Sequence, residues 1–152
     1  MERKQQFEET VMGVPSLEHV RERLRRIPAL RLLGVDLLAL EPGLVRLRLP
    51  FREDFCNSMG MVQGGFVTAV ADAAGGLAVL SKLESGWKAP TIELKINFLE
   101  PIRGSVEAVG RVLRTGTGVG VSSMEIFLED GTLAAAGIAT YRLVGPTPRG
   151  HQ

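Results

Sequence analysis

A single cysteine, Cys56, leaves no partner for an internal disulfide, which fits a reducing compartment and sets a cytoplasmic location as the expectation. The same scarcity removes any Cys-rich metal framework, and no His-Glu-x-x-His or comparable ligand cluster takes its place, so a metallohydrolase is disfavoured. Histidine is almost as rare, with only His19 and His151. No histidine is therefore placed to activate Cys56 as a nucleophile, and that thiol reads as an ordinary small loop residue. No Gly-x-Ser-x-Gly elbow occurs, which argues against a serine hydrolase. Aromatics amount to six Phe, one Trp and one Tyr, so stacking platforms for bases or sugars are not evident. Eighteen Lys plus Arg against 17 Asp plus Glu leave no basic footprint for nucleic acid or an anionic membrane surface. The N-terminus is too polar for a signal-peptide core. The longest weakly charged stretch, Met59 to Ser81, is broken by Asp72 and diluted with Gly and Ala, so no membrane span is expected.

What remains is a chain of 152 residues with 45% hydrophobic content, enough for one domain with a real core. Residues 1–14 are expected to be mobile, residues 15–144 to form a single domain, and the Pro- and Gly-rich residues 145–152 to be a disordered tail. Ser16 reads as the cap of a charged amphipathic helix carrying Leu17, Val20, Leu24 and Ile27 on one face and ending near Pro28. Glu41-Pro42-Gly43 is a turn signal, and Val45, Leu47 and Leu49 alternate with Arg46 and Arg48, which predicts a hairpin. From Gln63 to Leu83, Phe66, Val70, Ala73, Leu77 and Leu80 recur at helical spacing.

Beyond Ser85-Gly86-Trp87 the pattern is strand-like. Ile92, Leu94, Ile96 and Phe98 alternate with Glu93, Lys95 and Asn97 at a period of two. Strands are predicted over Thr91 to Leu99, Ser105 to Arg114, Val119 to Leu128 and Leu133 to Val144. Turns at Pro101 to Gly104, Thr115 to Gly118 and Glu129 to Thr132 make three consecutive hairpin connections, an antiparallel meander. Gly116-Thr117-Gly118-Val119-Gly120 superficially suggests a dinucleotide loop, but it lies between two strands with no helix after it and reads as a hairpin turn.

Five or six antiparallel strands with one apolar helix inserted early have an economical arrangement, an α+β fold in which the sheet wraps around that helix. The helix then becomes the core. Asp72 is its only charged residue between Met59 and Ser81, and a lone carboxylate in such a run is expensive without a purpose or a solvent-reaching face. Thr68, Gly75 and Gly76 share its face and supply the simpler explanation, a narrow strip open to water. The helix start favours the functional one: Gly64 and Gly65 free backbone N–H groups to approach a ligand oxygen, as an oxyanion requires. Asn57 contributes an amide just before the helix.

Asn57-x-x-Gly60-x-x-Gln63-Gly64-Gly65, then Asp72, then Thr91 opening a strand that runs to Pro101-Ile102-x-Gly104, resembles the hotdog-fold acyl-CoA thioesterases of the phenylacetate-degradation type. The resemblance extends from about Leu33 to Leu143 and rests on several weak elements in the right order. It implies a hotdog fold, sheet pairing into a homodimer or homotetramer, and active sites between subunits. It implies an acyl- or aryl-acyl-CoA substrate hydrolysed without metal or redox cofactor. It assigns Asp72 the role of general base or nucleophile, Gly64 that of carbonyl-polarising amide, Asn57 that of orienting water or the carboxylate, and Thr91 that of a supporting hydroxyl, with Gly60 and Gly65 beside the substrate. Asp72 would face the glycine amides of a second subunit. One departure stands out: the family commonly has His-Gly-Gly where this chain has Gln63-Gly64-Gly65. Gln63 can hydrogen-bond as donor and acceptor but cannot titrate near neutral pH. A non-catalytic acyl-CoA or acyl-carrier binding protein is therefore the alternative, while the histidine-dependent dehydratases and hydratases of the same fold lack their essential residue here.

Overall fold

A computed structural model describes residues 17–147. The expected Ser16 cap, the mobile residues 1–14 and most of the expected tail lie outside the described residues. Among the described residues two short helices come first, α1 (Glu18–Arg26) and α2 (Pro28–Leu33). Val20 and Leu24 of α1 are buried, as the amphipathic spacing predicts. The second helix is a correction: Pro28 does not merely end α1. It occupies the first turn of α2, where its missing N–H costs nothing, and Gly34, at φ +69°, closes that helix in the left-handed conformation.

Strands β1 (Asp36–Glu41) and β2 (Leu44–Leu49) form the predicted hairpin about Pro42-Gly43. The central helix α3 runs Gly64–Leu80, one turn shorter at its C-terminus than its apolar pattern suggests. Ser81 ends it: the hydroxyl donates to the Ala78 carbonyl at 2.6 Å and accepts from the Gly43 N–H at 2.7 Å, tying the helix end to the β1–β2 turn. Strands β3 (Thr91–Phe98), β4 (Val106–Thr115), β5 (Val119–Leu128) and β6 (Leu133–Arg142) complete the chain. Val144 bridges back to Lys88 and Gly145 lies against the Trp87 indole, so the first residues of the expected tail are packed.

All six strands form one antiparallel sheet in the order β1-β2-β4-β5-β6-β3. This corrects the meander: β4, β5 and β6 follow each other, but β3 pairs with β6, and β4 pairs with β2. The segment Leu99 to Ser105 is therefore a crossing past two strands, β6 and β5, rather than a hairpin turn. The reason is closure around the helix. Val67, Val70, Ala71, Ala74, Ala78 and Val79 of α3 are wholly buried, and a sheet covering so much apolar surface needs strands from both sides of the helix in sequence. The helix lies close against the sheet at Gly110 of β4, where any side chain would overlap the Ala74 backbone.

Strand β3 is an edge with exposed apolar side chains, Ile92 at 58% and Phe98 at 49%. Its register with β6 slips between Thr91 and Glu93, leaving Ile92 as an extra, bulged residue. The period of two expected from Ile92 onward therefore holds only from Glu93. Thr91 pairs with Tyr141, which is buried against α3, and so Thr91 faces the helix while Ile92 is turned into solvent.

Candidate active site

The loop before α3 is built on Asn57. Its side-chain oxygen accepts the Met59 and Met61 N–H groups at 2.9 and 3.2 Å, and its own N–H donates to the Met61 carbonyl at 2.7 Å. Such local bonding is what makes Asn a turn former. Gly60 takes φ +71° within that turn, and the Arg103 guanidinium fastens it by donating to the Met59 carbonyl at 3.0 Å. Gln63 follows with its N–H on the Phe55 carbonyl at 2.7 Å, while its exposed side chain makes no cap to the helix.

Helix α3 then starts with Gly64 and Gly65. Among the described residues, neither N–H has a hydrogen-bond partner, as befits the first donors of a helix, and no atom stands within 4 Å of where a Gly65 side chain would begin. Gly64, Asn57, Met61 and Val62 line a cavity of about 400 Å³, and the crossing segment Phe98 to Ile102 forms its opposite wall. The Val62 N–H donates to the Ile102 carbonyl at 2.8 Å and holds the two walls together. The lining is mostly apolar and includes Gly64 of the helix start, which suits an acyl group whose carbonyl docks at the helix terminus.

Asp72 lies further along. The Thr91 hydroxyl donates to Asp72 Oδ1 at 2.8 Å, so these two sequence candidates are brought together across 19 positions of sequence. Asp72 is half-buried and Thr91 exposed, leaving the carboxylate open to water or a ligand. Beneath it, Tyr141 is buried and donates its hydroxyl to the Asp72 main-chain carbonyl at 2.9 Å. Burial chiefly, then the Asp72 charge, pushes the phenol well above the ordinary tyrosine range, so it stays a donor. Gly75 and Gly76, read from sequence as part of a solvent-reaching strip, instead seat this phenol: Gly75 is buried, and a side chain at Gly76 would begin 3.1 Å from the ring.

The candidates thus fall into two groups within one chain. Asn57, Gly60, Gln63, Gly64 and Gly65 gather at the helix start. Asp72 and Thr91 stand eight residues on, about 12 Å along the axis at 1.5 Å per residue. Phe98 and Tyr141 were not identified as site residues from sequence, and the crossing segment entered only through Pro101-Ile102-x-Gly104 of the motif. Phe98 is hidden in a regular alternation, and the others take their places only through strand order.

An antiparallel sheet wrapped around one long helix is the hotdog fold. The Thioesterase superfamily profile matches residues 59–135. A Saccharolobus solfataricus protein, provisionally named as an esterase, is 36% identical over 115 residues, covering 75% of this chain and 81% of its own. The solved structure of a thioesterase family protein from Silicibacter pomeroyi superimposes with a TM-score of 0.80 at 28% identity, covering 84% of this chain and 96% of that one. The E. coli PaaI protein, from the phenylacetic acid degradation operon, gives a TM-score of 0.79 at 21% identity over 86% of this chain and 94% of its own, a likeness of fold. This chain belongs to the thioesterase superfamily, and it is a thioester hydrolase of the hotdog fold. No helix among the described residues is long and apolar enough to cross a membrane.

Proposed function

We propose that the chain hydrolyses an acyl- or aryl-acyl-CoA thioester to the free acid and CoA, in the cytoplasm and without a metal or redox cofactor. The observation that carries this reading is the 2.8 Å bond from Thr91 to Asp72 Oδ1, which orients the carboxylate. A thioester carbonyl accepts the Gly64 N–H, whose dipolar helix terminus stabilises the oxyanion that forms there. Asp72 then removes a proton from water attacking the carbonyl carbon, or attacks it directly to give an anhydride that water cleaves. In either course the C–S bond breaks and the thiolate leaves, taking up a proton from solvent or from the acid. Asn57, whose oxygen is engaged by the loop, offers its amide hydrogens to the water. Gly60 and Gly65 give the substrate close approach to the backbone. Gln63 stands exposed beside them as a neutral donor and acceptor, so no titration at this position gates the site.

Two chains complete each site in this reading. The Gly64 amide and the Asp72 carboxylate of one chain are too far apart for a single carbonyl to meet both, whereas an edge strand carrying exposed Ile92 and Phe98 favours pairing with a second copy through β3, into a dimer or tetramer. Thiol release from a panel running from acetyl- through long-chain acyl-CoA to phenylacetyl- and hydroxybenzoyl-CoA tests the assignment. Wild type turns over at least one member, and Asp72→Asn loses about 10²-fold or more while keeping its melting temperature. Full turnover by a folded Asp72→Asn would sink the role of Asp72. Saturable binding with no thiol release from any member would point instead to an acyl-CoA or acyl-carrier binding protein.

A further inference from the structure

Two neighbours of Asp72 come from one cross-strand pair. Thr91 of β3 and Tyr141 of β6 lie directly opposite each other in the sheet, and both hydroxyls are spent on the same residue of α3. Thr91 holds the Asp72 carboxylate, and Tyr141 holds the Asp72 carbonyl. A helix carbonyl already has an acceptor role in the i→i+4 ladder, so a second donor to it is not needed for helix formation. The arrangement is nonetheless heavily provided for. Gly75 leaves room for the Tyr141 and Ser122 oxygens, and Gly76 lets the ring lie against the helix.

We infer that Tyr141 is a positioning residue for the reaction, locking the turn of α3 that carries Asp72 to the same cross-strand pair that orients its carboxylate. The inference rests on the reading of Asp72 as the reacting carboxylate. Tyr141 itself never reaches substrate, because it is buried beneath the helix. Its hydroxyl fixes where the Asp72 backbone stands, and Thr91 fixes where the side chain points. If the first anchor is lost, the helix turn can shift by a fraction of an ångström relative to β3 and the second anchor loses its geometry. Displacements of about 1 Å can cost about 10²-fold in rate, so a smaller slip predicts a loss of about tenfold.

Tyr141→Phe keeps the ring and removes only the hydroxyl. With the best acyl-CoA of the panel, it should lower kcat about tenfold and leave KM within about twofold, while circular dichroism and oligomeric state are unchanged. A double-mutant cycle with Thr91→Ala separates positioning from general stability. If both residues act by holding Asp72, the double variant is no more than about twofold slower than the slower single variant. Gly76→Ala, which presses on the ring without touching the hydroxyl, provides a second route to the same kcat loss should Tyr141→Phe fold poorly. Wild-type kcat in folded Tyr141→Phe, or losses that simply multiply in the cycle, would overturn the inference. Absence of turnover by wild type across the whole panel would instead overturn the reading of the site on which it stands.

Discussion

The ring of Phe98 occupies the space into which a side chain at Gly64 would project: a Cβ there would stand 2.9 Å from the ring tip. The contact joins the proposed oxyanion donor to the wall of the proposed acyl cavity, because Phe98 and Gly64 both line it. Gly64→Ala should fold normally, since the atom in the way is the movable end of a half-exposed ring and alanine favours a helix over glycine by about 0.4–1 kcal/mol. Its expected effect is on substrate choice. The displaced ring narrows the cavity, and kcat/KM falls for bulky acyl groups more than for short ones. Phe98→Ala should do the reverse, and the double variant should recover the bulky substrates. A panel of acyl-CoAs measured on the three variants checks this, and equal losses for all substrates would show that the ring does not set the cavity.

Bulged Ile92 offers a separate test of how Thr91 is aimed at Asp72. Deleting it removes the register slip and makes Thr91 the direct neighbour of Glu93, so strict alternation keeps Thr91 opposite Tyr141 on the helix face. The Asp72 carboxylate then keeps its hydroxyl partner. The expected result is a kcat close to that of wild type, and adding Thr91→Ala to the deletion should lower it as Thr91→Ala does in the full chain. A deletion variant that is slow and no longer sensitive to Thr91→Ala would mean that the pairing with Tyr141 does not by itself aim this residue.

These two positions show where the sequence was legible and where it was not. Periodicity located α3 and every strand to within a few residues, because burial on one face imposes a period that local reading detects. Gly64, Gly65, Asp72 and Thr91 were legible because glycines at a helix start and an acid in an apolar run are chemically conspicuous. The bulge was not, since Ile92 continues the apolar alternation and only its pairing with β6 reveals the extra residue. The crossing of Leu99 to Ser105 was missed for the same reason: a Pro- and Gly-containing connection looks alike whether the next strand pairs beside it or three positions away. The cavity wall thus depends on long-range strand order. Gly75 and Gly76 were noticed but misread, because their use is set by a tyrosine 65 or more positions later that local reading cannot bring to them.

Gly110 tests the packing that holds the helix in place. A side chain there would overlap the Ala74 carbonyl and the Gly75 nitrogen, which are backbone atoms in the middle of α3 and cannot swing aside. Gly110→Ala must therefore push the helix off the sheet or bend β4. It should destabilise by about 1–3 kcal/mol or more, in the range of overpacked cores. Thermal melts of this variant beside Gly64→Ala give the contrast, with a large loss at the buried backbone contact and little at the mobile ring.

Tyr141 should also set the alkaline limit of stability. Its folded pKa is raised above the ordinary value of 10.0, first by burial and then by the Asp72 charge, while in the unfolded chain it titrates normally. Between those two values the unfolded state has released its proton and the folded state has not. Unfolding is then favoured by up to about 1.4 kcal/mol for each pH unit. The stabilising contribution is therefore complete below the ordinary tyrosine pKa and is lost as pH rises above it. Groups shared by wild type and Tyr141→Phe affect both alike, so the difference between the two isolates the phenol. Melting temperatures followed from pH 8 to 11 should show wild type more stable than Tyr141→Phe at the lower end, with the gap closing above about pH 10. A constant gap across the range would mean that the phenol titrates equally in both states, and that neither burial nor the Asp72 carboxylate acts on it as its position beneath α3 requires.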